Sequence, residues 1–298
     1  MHNLKKLIVA LDLSKTDEQI LGFLKKFTEA LLPDKILFFH AVPDIALPED
    51  VFASPEEKEE YIEQRLSDCK QQLDGLREEY FGHRSDIHFE IECRYGSPLR
   101  RLLDSVEERH PDLVVFGKKK MTGGSGILAT KLARRISCNL LLVPENSEQH
   151  LPIKRVLVPT DFSSHATKAL SMAVELHALL KDPQLIIMHA YNVPPSLPTR
   201  IGRTPEQFGE MIKAHVMVAL NEFVEHNVPA HIEPVLDMVE IADLGPAKQI
   251  LHSVQQHNAD MLIIGAEGHT LLESLFLGSV TEKLLQVNEG IPVLVIRG

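Results

Sequence analysis

The sequence predicts an α/β fold built from two tandem, open, parallel-sheet domains of the Rossmann-like, doubly wound kind. Each domain is expected to have about five strands with flanking helices. The chain has 298 residues, which suggests two domains at ~150 residues each. Its short apolar runs are nearly continuous, which is typical of parallel strands covered on both faces. These runs also recur in the second half of the chain.

The recurrence indicates a duplication. Five landmark segments of the first half reappear 148 to 150 positions later. The matching pairs are Lys5–Asp12 with Lys154–Asp161, Leu37–Val42 with Ile186–Tyr191, Ser54–Glu57 with Thr204–Gln207, Tyr95–Pro98 with Leu244–Ala247, and Asp112–Gly117 with Asp260–Gly265. We therefore expect one domain over residues 1–146 and a second over residues 152–298. The joint between them, Pro144–Pro152, is rich in turn formers and polar residues.

Within each half the pattern alternates strands with helices, which predicts a parallel sheet with ligands at the carboxyl ends of its strands. Ser54 and Thr204 each precede a proline and stand three positions before an acid or amide, which is a helix-start signal. They predict long helices over Pro55–Tyr80 and Pro205–His226. The predicted strands include Leu7–Leu11, Ile36–Phe39, Leu113–Phe116, Leu140–Val143 and Met261–Ile264.

The composition of the chain limits the kinds of partner that we expect it to bind. The net charge of −11 argues against nucleic acid, since binding to its backbone needs a basic face. No apolar run approaches the ~20 residues of a membrane span. The first residues lead directly into a strand-like segment, so we expect no signal peptide and a cytoplasmic location.

The three cysteines, Cys69, Cys93 and Cys138, show no metal motif and are expected to be reduced structural thiols.

A glycine loop in the second half carries the strongest chemical signal. Gly265 and Gly268 follow the strand Met261–Ile264, and Gly278 comes after nine further residues. Ser279–Glu282 has the form of a capping box that opens a helix. A glycine loop between a strand and a helix N-terminus can receive phosphate, because backbone N–H groups approach the anion closely. The alternative is a tight strand-to-helix turn with no ligand. The spacing fits neither the P-loop nor the dinucleotide fingerprint.

The glycine loop and the tandem landmarks together resemble the universal stress protein family, and the resemblance covers essentially the whole chain as two copies. The second copy is similar to the nucleotide-binding branch, whose hallmark is G-x-x-G, nine residues, G-[ST]. Gly265, Gly268, Gly278 and Ser279 match that hallmark position for position. The resemblance implies a stress-response or signalling protein that binds ATP, with or without Mg²⁺.

The resemblance also implies which residues contact the nucleotide. The end of the first strand of the second copy would contact adenine and ribose, and Ala190 would line the adenine pocket. For Asp161 the alternative is a helix N-cap, and for His269 it is an ordinary loop residue. The implied nucleotide-binding residues are Pro159, Thr160, Asp161, Ala190, Gly265, Gly268, His269, Gly278, Ser279 and Val280.

The first copy departs from this pattern. Lys120 stands at the position of Gly268, and Ala129 at that of Gly278. Thr130 could still cap the helix that follows. We expect this half, with its degenerate loop, not to bind nucleotide in the same way.

Further differences lie outside the loop. Asp12 is retained, but Leu11 replaces Thr160. The first half is therefore expected to be mainly structural or an interaction surface. Lys118–Lys120 and Gly123–Gly126 could still bind another anion.

No catalytic apparatus is recognisable in the sequence. There is no G-x-S-x-G elbow, and no Walker lysine follows the glycine loop. We expect nucleotide binding without efficient turnover, and slow ATP hydrolysis stays open because some relatives show it. The alternative is a non-enzymatic interaction module whose pocket is empty or holds another ligand. A third reading, a metal-dependent enzyme using His40 and His189, is less favoured because their symmetry suggests a structural role.

The predicted partners follow from the same resemblance. Family members often dimerise through the last strand of each domain, which corresponds here to Asn139–Val143 and Ile291–Ile296. An exposed apolar edge favours pairing, so we expect the two halves to pair within one chain as a pseudo-dimer. Whether whole chains form a homodimer is left open by the sequence.

Overall fold

The computed structural model describes residues 4–44, 52, 54–118, 125–193, 204–241, 245–268, 277–288 and 290–297. It divides into two compact units, one spanning Asn3–Gln149 and the other containing His150–Gly298. We call them the first half and the second half. Each is an α/β unit around a parallel sheet, so the predicted fold class is confirmed.

The first half has five strands in the order β3-β2-β1-β4-β5, and all neighbours are parallel. Strands and helices alternate along the chain as the sequence predicts. In chain order they are β1 (Lys6–Ala10), α1 (Lys15–Leu31), β2 (Lys35–Val42), α2 (Pro55–Phe81), β3 (His88–Tyr95), α3 (Pro98–Arg109), β4 (Leu113–Lys118), α4 (Ser125–Ala133) and β5 (Asn139–Pro144). A 3₁₀ turn, Ser147–His150, follows.

The second half repeats this topology with the strand order β10-β9-β6-β7-β8, again parallel throughout. Among the described residues its elements are β6 (Arg155–Thr160), α5 (Ser164–Leu179), β7 (Gln184–Tyr191), α6 (Pro205–Asn227), β8 (Val235–Glu240), α7 (Pro246–Gln256), β9 (Met261–Gly265), α8 (Ser279–Val287) and β10 (Val293–Ile296). Apart from their end residues the central strands are buried, in line with their continuous apolar sequence.

The two long helices begin as predicted. Ser54 accepts a hydrogen bond from the N–H of Glu57, and Thr204 accepts one from Gln207, each at 3.3 Å. The Gln207 side chain also accepts from the Thr204 N–H, which completes a capping box. These caps fix where the helices start. At their other ends, both observed helices stop within one residue of the prediction.

At the amino ends of the strands, one aspartate in each half ties two strands together. Asp112 Oδ2 accepts the backbone N–H groups of Lys5 and Lys6 at 2.9 and 2.8 Å. Asp260 Oδ2 accepts those of Lys154 and Arg155 at 2.9 and 3.0 Å. The ionised oxygen satisfies two N–H groups at the start of a central strand. These hydrogen bonds therefore lie at the amino ends of the strands, away from the carboxyl ends.

The prediction that all the cysteines are reduced is wrong for two of them. Cys69 in α2 and Cys93 in β3 form a disulfide, with 6.5 Å between their Cα atoms. That separation lies within the usual range for a disulfide. The pairing arises because α2 packs across β3, which brings together two residues 24 positions apart in sequence. Cys138 is outside the disulfide.

In the described part of the chain, no helix is both long enough and apolar enough to cross a membrane.

Candidate functional site

A cavity of about 390 Å³ opens at the carboxyl ends of β6, β7 and β9 in the second half. The start of α8 closes its opposite side. Nine of the ten residues predicted to bind nucleotide line it, namely Pro159, Thr160, Asp161, Ala190, Gly265, Gly268, Gly278, Ser279 and Val280. The tenth, His269, lies outside the described residues.

Eight other residues also line this cavity and were not singled out by the sequence. Most are apolar and come from strand ends and from α7, and two, Glu267 and Thr281, are polar. The eight are Ala166, Met188, Ile241, Pro246, Ile250, Ile264, Glu267 and Thr281. Their common signal, a place at or just after a predicted strand end or at a helix start, could have found several of them.

At each glycine of the loop, neighbouring atoms lie close to the place that a Cβ would occupy. A Cβ at Gly265 would lie 2.8 Å from the backbone of His165, and one at Gly268 would lie 2.6 Å from Asp161 Oδ2. A Cβ at Gly278 would be 3.3 Å from the carbonyl oxygen of Ala266. A larger residue at Gly265 would therefore meet the backbone of α5, and one at Gly268 would displace the Asp161 carboxylate.

Asp161 is oriented by its own loop. Its Oδ1 accepts the backbone N–H of Ser163 at 3.0 Å. The alternative reading of Asp161 as the helix N-cap is wrong, because Ser163 caps α5 by accepting the Ala166 N–H at 3.2 Å. Between them, Phe162 adopts a left-handed backbone with φ 65°. The chain thus turns sharply after β6 and presents the Asp161 carboxylate to the cavity.

The helix after the glycine loop starts one residue earlier than predicted. The N-cap of α8 is Gly278, and Ser279 is its first helical residue, without a side-chain cap. The capping box predicted at Ser279–Glu282 is therefore wrong. The extended backbone of Gly278 lets its carbonyl accept the Glu282 N–H at 2.8 Å. The first N–H groups of a helix have no partner within it and form its positive end, and here that end borders the cavity.

Thr281 connects the helix start to the strand end. Its Oγ1 donates to the carbonyl oxygen of Gly265 at 2.8 Å, and both groups are buried. A buried carbonyl without a partner costs free energy, so this bond holds the first turn of α8 against β9. It keeps the two parts of the glycine motif in register.

His189 supports the floor of the site. Its Nδ1 lies 2.8 Å from the Thr160 carbonyl oxygen, and its ring stacks on Phe162 with 4.4 Å between centroids. Burial lowers the pKa of the imidazole, while the bond to Thr160 and the charge of Asp161 act in the opposite direction. His40 makes the same bond to the Leu11 carbonyl oxygen in the first half. Both histidines thus tie neighbouring strand ends together.

No set of three or more metal-ligating side chains is gathered in the described parts of the chain. Glu267 places a carboxylate on the cavity wall beside Gly268. Its Oε2 lies 3.9 Å from Nε2 of His165.

The first half has a smaller cavity of about 240 Å³ at the equivalent edge. The Cδ1 atom of Ile20 lies only 2.4 Å from where a Cβ at Gly117 would stand. The suggestion that Thr130 caps the following helix is wrong, because α4 already begins at Ser125 and Thr130 lies inside it. Ala129, in place of a glycine, continues the helix through that position. Lys120 lies outside the described residues.

Two tandem parallel-sheet units, one with a glycine loop before a helix N-terminus, define an α/β protein with two doubly wound domains. Comparison with known proteins specifies the family. The model of the universal stress protein family matches residues 3–144 and again residues 152–297. The chain therefore belongs to the universal stress protein family and carries two copies of its domain.

The individual proteins that this chain resembles are also universal stress proteins. The chain is 30% identical over 147 residues to the universal stress protein YxiE of Bacillus subtilis, which covers 48% of this chain and 98% of that protein. It is 26% identical over 144 residues to a universal stress protein of Methanocaldococcus jannaschii, covering 48% and 82%. A solved universal stress protein from Archaeoglobus fulgidus aligns over 100% of this chain and 98% of its own, at 18% identity and a TM-score of 0.63. That likeness shows the fold.

Proposed function

We propose that this universal stress protein binds an adenine nucleotide, with ATP as the expected ligand, in the second half only. The observation that carries the proposal is the cavity at β6, β7 and β9, where a carboxylate and a helix N-terminus face the same space. Asp161 would accept from ribose hydroxyls. The Gly278 N–H donates to the Ala266 carbonyl oxygen at 2.8 Å, so the backbone N–H groups of Ser279 and Val280 would donate to phosphate oxygens, as helix N-termini do elsewhere.

The walls of the cavity suit the base. Met188, Ile250 and Ile264 are buried and give an apolar slot, which is the usual lining of a small-molecule site. Ala190 leaves room at the end of β7. An adenine ring placed there would lie on the apolar side, with its sugar toward Asp161.

The residues that line the cavity favour binding of ATP without its efficient hydrolysis. Phosphoryl transfer requires charge neutralisation on the γ-phosphate and an oriented nucleophile. None of the residues that line the described cavity is a lysine or an arginine. We propose that ATP occupancy changes the conformation or the partner choice of the protein, with at most slow hydrolysis. Whether Mg²⁺ accompanies the nucleotide is read from the same titrations with and without the ion.

The test compares matched variants of the full chain. Mass spectrometry identifies any nucleotide that co-purifies, and calorimetry measures ATP binding. Asp161→Ala and Gly268→Val should weaken ATP binding by about 10-fold or more, the cost of losing a charge-assisted hydrogen bond or of filling the loop. Asp12→Ala, at the equivalent position of the first half, should leave the affinity unchanged. ATP binding that depends on Asp12 and not on Asp161 would refute the assignment.

A second candidate is an interaction module. Helix α6 exposes apolar side chains on its surface: Met211, Met217 and Val218 are 39%, 36% and 56% exposed. Exposed apolar groups on a helix can form a protein interface. If no nucleotide co-purifies and ATP does not bind in titrations, this candidate replaces the first.

We also propose that the two domains of the chain pair with each other as a pseudo-dimer through their last strands. The support is the resemblance to family dimers and the apolar character of Asn139–Val143 and Ile291–Ile296. Proline removes a backbone donor from a strand, so Val293→Pro should loosen the pairing and increase the radius of gyration in solution scattering. An unchanged scattering curve would contradict the model. The mass from the same scattering experiment tests for a homodimer.

A further inference from the structure

The first half contains a cavity whose lining lacks two threonines that line its counterpart in the second half. It lies at the carboxyl ends of β1, β2 and β4, and every residue that lines it is among the described residues. Its main walls are large apolar side chains, all buried. They are Leu11, Ile20, Phe39, Leu102, Phe116 and Leu132.

The duplication shows which positions changed. Leu11 stands where Thr160 lines the other cavity, and Leu132 stands where Thr281 bonds to the strand end. At these two positions the threonines of the second cavity are therefore replaced by apolar leucine side chains, although Thr16 also lines the first cavity. A wall of this kind is stabilised by contact with an apolar ligand, because that contact removes hydrocarbon surface from water.

The mouth of the cavity carries acidic groups. Asp12 is exposed there, and Asp17, only 3% exposed, takes the place of Ala166. The Asp17 carboxylate accepts the backbone N–H of Leu13 at 2.6 Å and that of Asp12 at 3.3 Å. The second cavity also has two carboxylates, Asp161 and Glu267, but the N-terminus of α8 borders it and favours an anion. In the first half α4 passes through the equivalent position, so no helix N-terminus there offsets the repulsion between Asp12, Asp17 and an anion.

We propose that the first half binds an aliphatic ligand whose head group donates hydrogen bonds and carries no negative charge. The chain of the ligand lies between Ile20, Phe39 and Phe116, and its amine or hydroxyl faces Asp12. Amines and alcohols both have such a head group. In each of them only the polar end is unsuited to contact with the apolar wall. This site is separate from the nucleotide site and does not depend on it.

The experiment uses the full chain and three probes of equal length: hexylamine, hexanol and hexanoate. Calorimetry measures affinity, and methyl NMR follows Ala41 in the first cavity and Ala190 in the second. Hexylamine and hexanol should shift the Ala41 methyl signal and leave that of Ala190 in place. Hexanoate should bind at least about tenfold more weakly than hexylamine, the expected loss when attraction to a carboxylate becomes repulsion.

Two matched substitutions test the location. Ala41→Phe fills the first cavity and should abolish hexylamine binding, whereas Ala190→Phe should block ATP and spare hexylamine. Should Ala41→Phe fail to fold by circular dichroism, Asp12→Asn decides the matter. It keeps an acceptor for the Ser14 N–H, now 3.1 Å from Asp12 Oδ1, and should weaken hexylamine about tenfold. The proposal is overturned if no six-carbon probe shifts Ala41, if hexanoate binds as tightly as hexanol, or if Asp12→Asn leaves the hexylamine affinity unchanged.

Discussion

Thr281 donates a hydrogen bond to the carbonyl of Gly265 across the start of α8 and the end of β9, with 2.8 Å between the two oxygens. This bond joins the two parts of the glycine motif, which are separated in sequence. The first half has Leu132 at the equivalent position and so lacks this hydroxyl. From this contrast we infer that Thr281 is a positioning residue of the proposed nucleotide site.

Replacing Thr281 with valine should test that role. The Thr281→Val side chain would keep the shape and leave the buried Gly265 carbonyl without this donor, which costs about 1–2 kcal/mol of unfolding free energy. We also expect ATP affinity to fall several-fold, because the first turn of α8 is less well placed. Urea denaturation and calorimetry measure the two effects. Thr281→Ser keeps the donor and should restore both, and equal losses in the serine and valine variants would rule out the hydrogen bond as the cause.

The aspartates at the amino ends of the strands should matter for stability alone. Asp260→Ala removes an acceptor shared by the N–H groups of Lys154 and Arg155, and Asp112→Ala does the same in the first half. Each should lower the unfolding free energy of its own half by about 1–3 kcal/mol. Hydrogen exchange resolved by segment measures this. ATP affinity should be unchanged in both variants, and a large loss in Asp260→Ala would mean that the two sheet edges are coupled.

The buried imidazole of His189 predicts a pH dependence. Because burial lowers the pKa of His189 in the folded state, the unfolded chain takes up the proton more readily. The stability that the neutral ring contributes is complete above the unfolded pKa of about 6.5 and is lost as the pH falls toward the folded pKa. Urea denaturation at pH 7.5 and 5.5 should show this loss. His189→Asn keeps a donor toward Thr160 and should show a smaller loss; identical pH slopes would exclude His189 as the source.

The disulfide between Cys69 and Cys93 should stabilise the first half. A cross-link that closes a loop of 24 residues restricts the unfolded chain and is worth about 3 kcal/mol. The double variant Cys69→Ser, Cys93→Ser should unfold at correspondingly lower urea concentration. Cys138→Ser is the matched control and should have a small effect. If reduction of the native chain leaves its stability unchanged, the disulfide does not contribute in solution.

The parts of the fold that were predictable depend on local sequence. The central strands are continuous apolar runs, and the caps at Ser54 and Thr204 are complete within four residues. The duplication added a second copy of each signal. The start of α8 was missed because Ser279 and Glu282 satisfy the capping pattern, while the extended backbone at Gly278 that moves the cap is not visible in the residue types.

Other features depend on packing between distant segments. Cys69 and Cys93 belong to no motif, and only the crossing of α2 over β3 brings them together. Thr281 reads as an ordinary helix residue until the Gly265 carbonyl is placed beside it. Glu267 was inside the recognised motif at a variable position, so the pattern gave no reason to single it out.

Asp112 and Asp260 accept their hydrogen bonds at the end of each sheet that lies away from its cavity. This separation has a consequence for how the two halves could diverge from a common ancestor. Each support lies at the amino ends of the strands, while the cavity residues compared above, Leu11 with Thr160 and Leu132 with Thr281, lie at the carboxyl ends or at the helix that faces them. After the duplication, one copy could therefore drift in its ligand chemistry while its scaffold stayed intact at every intermediate. A change of ligand would then require no new fold.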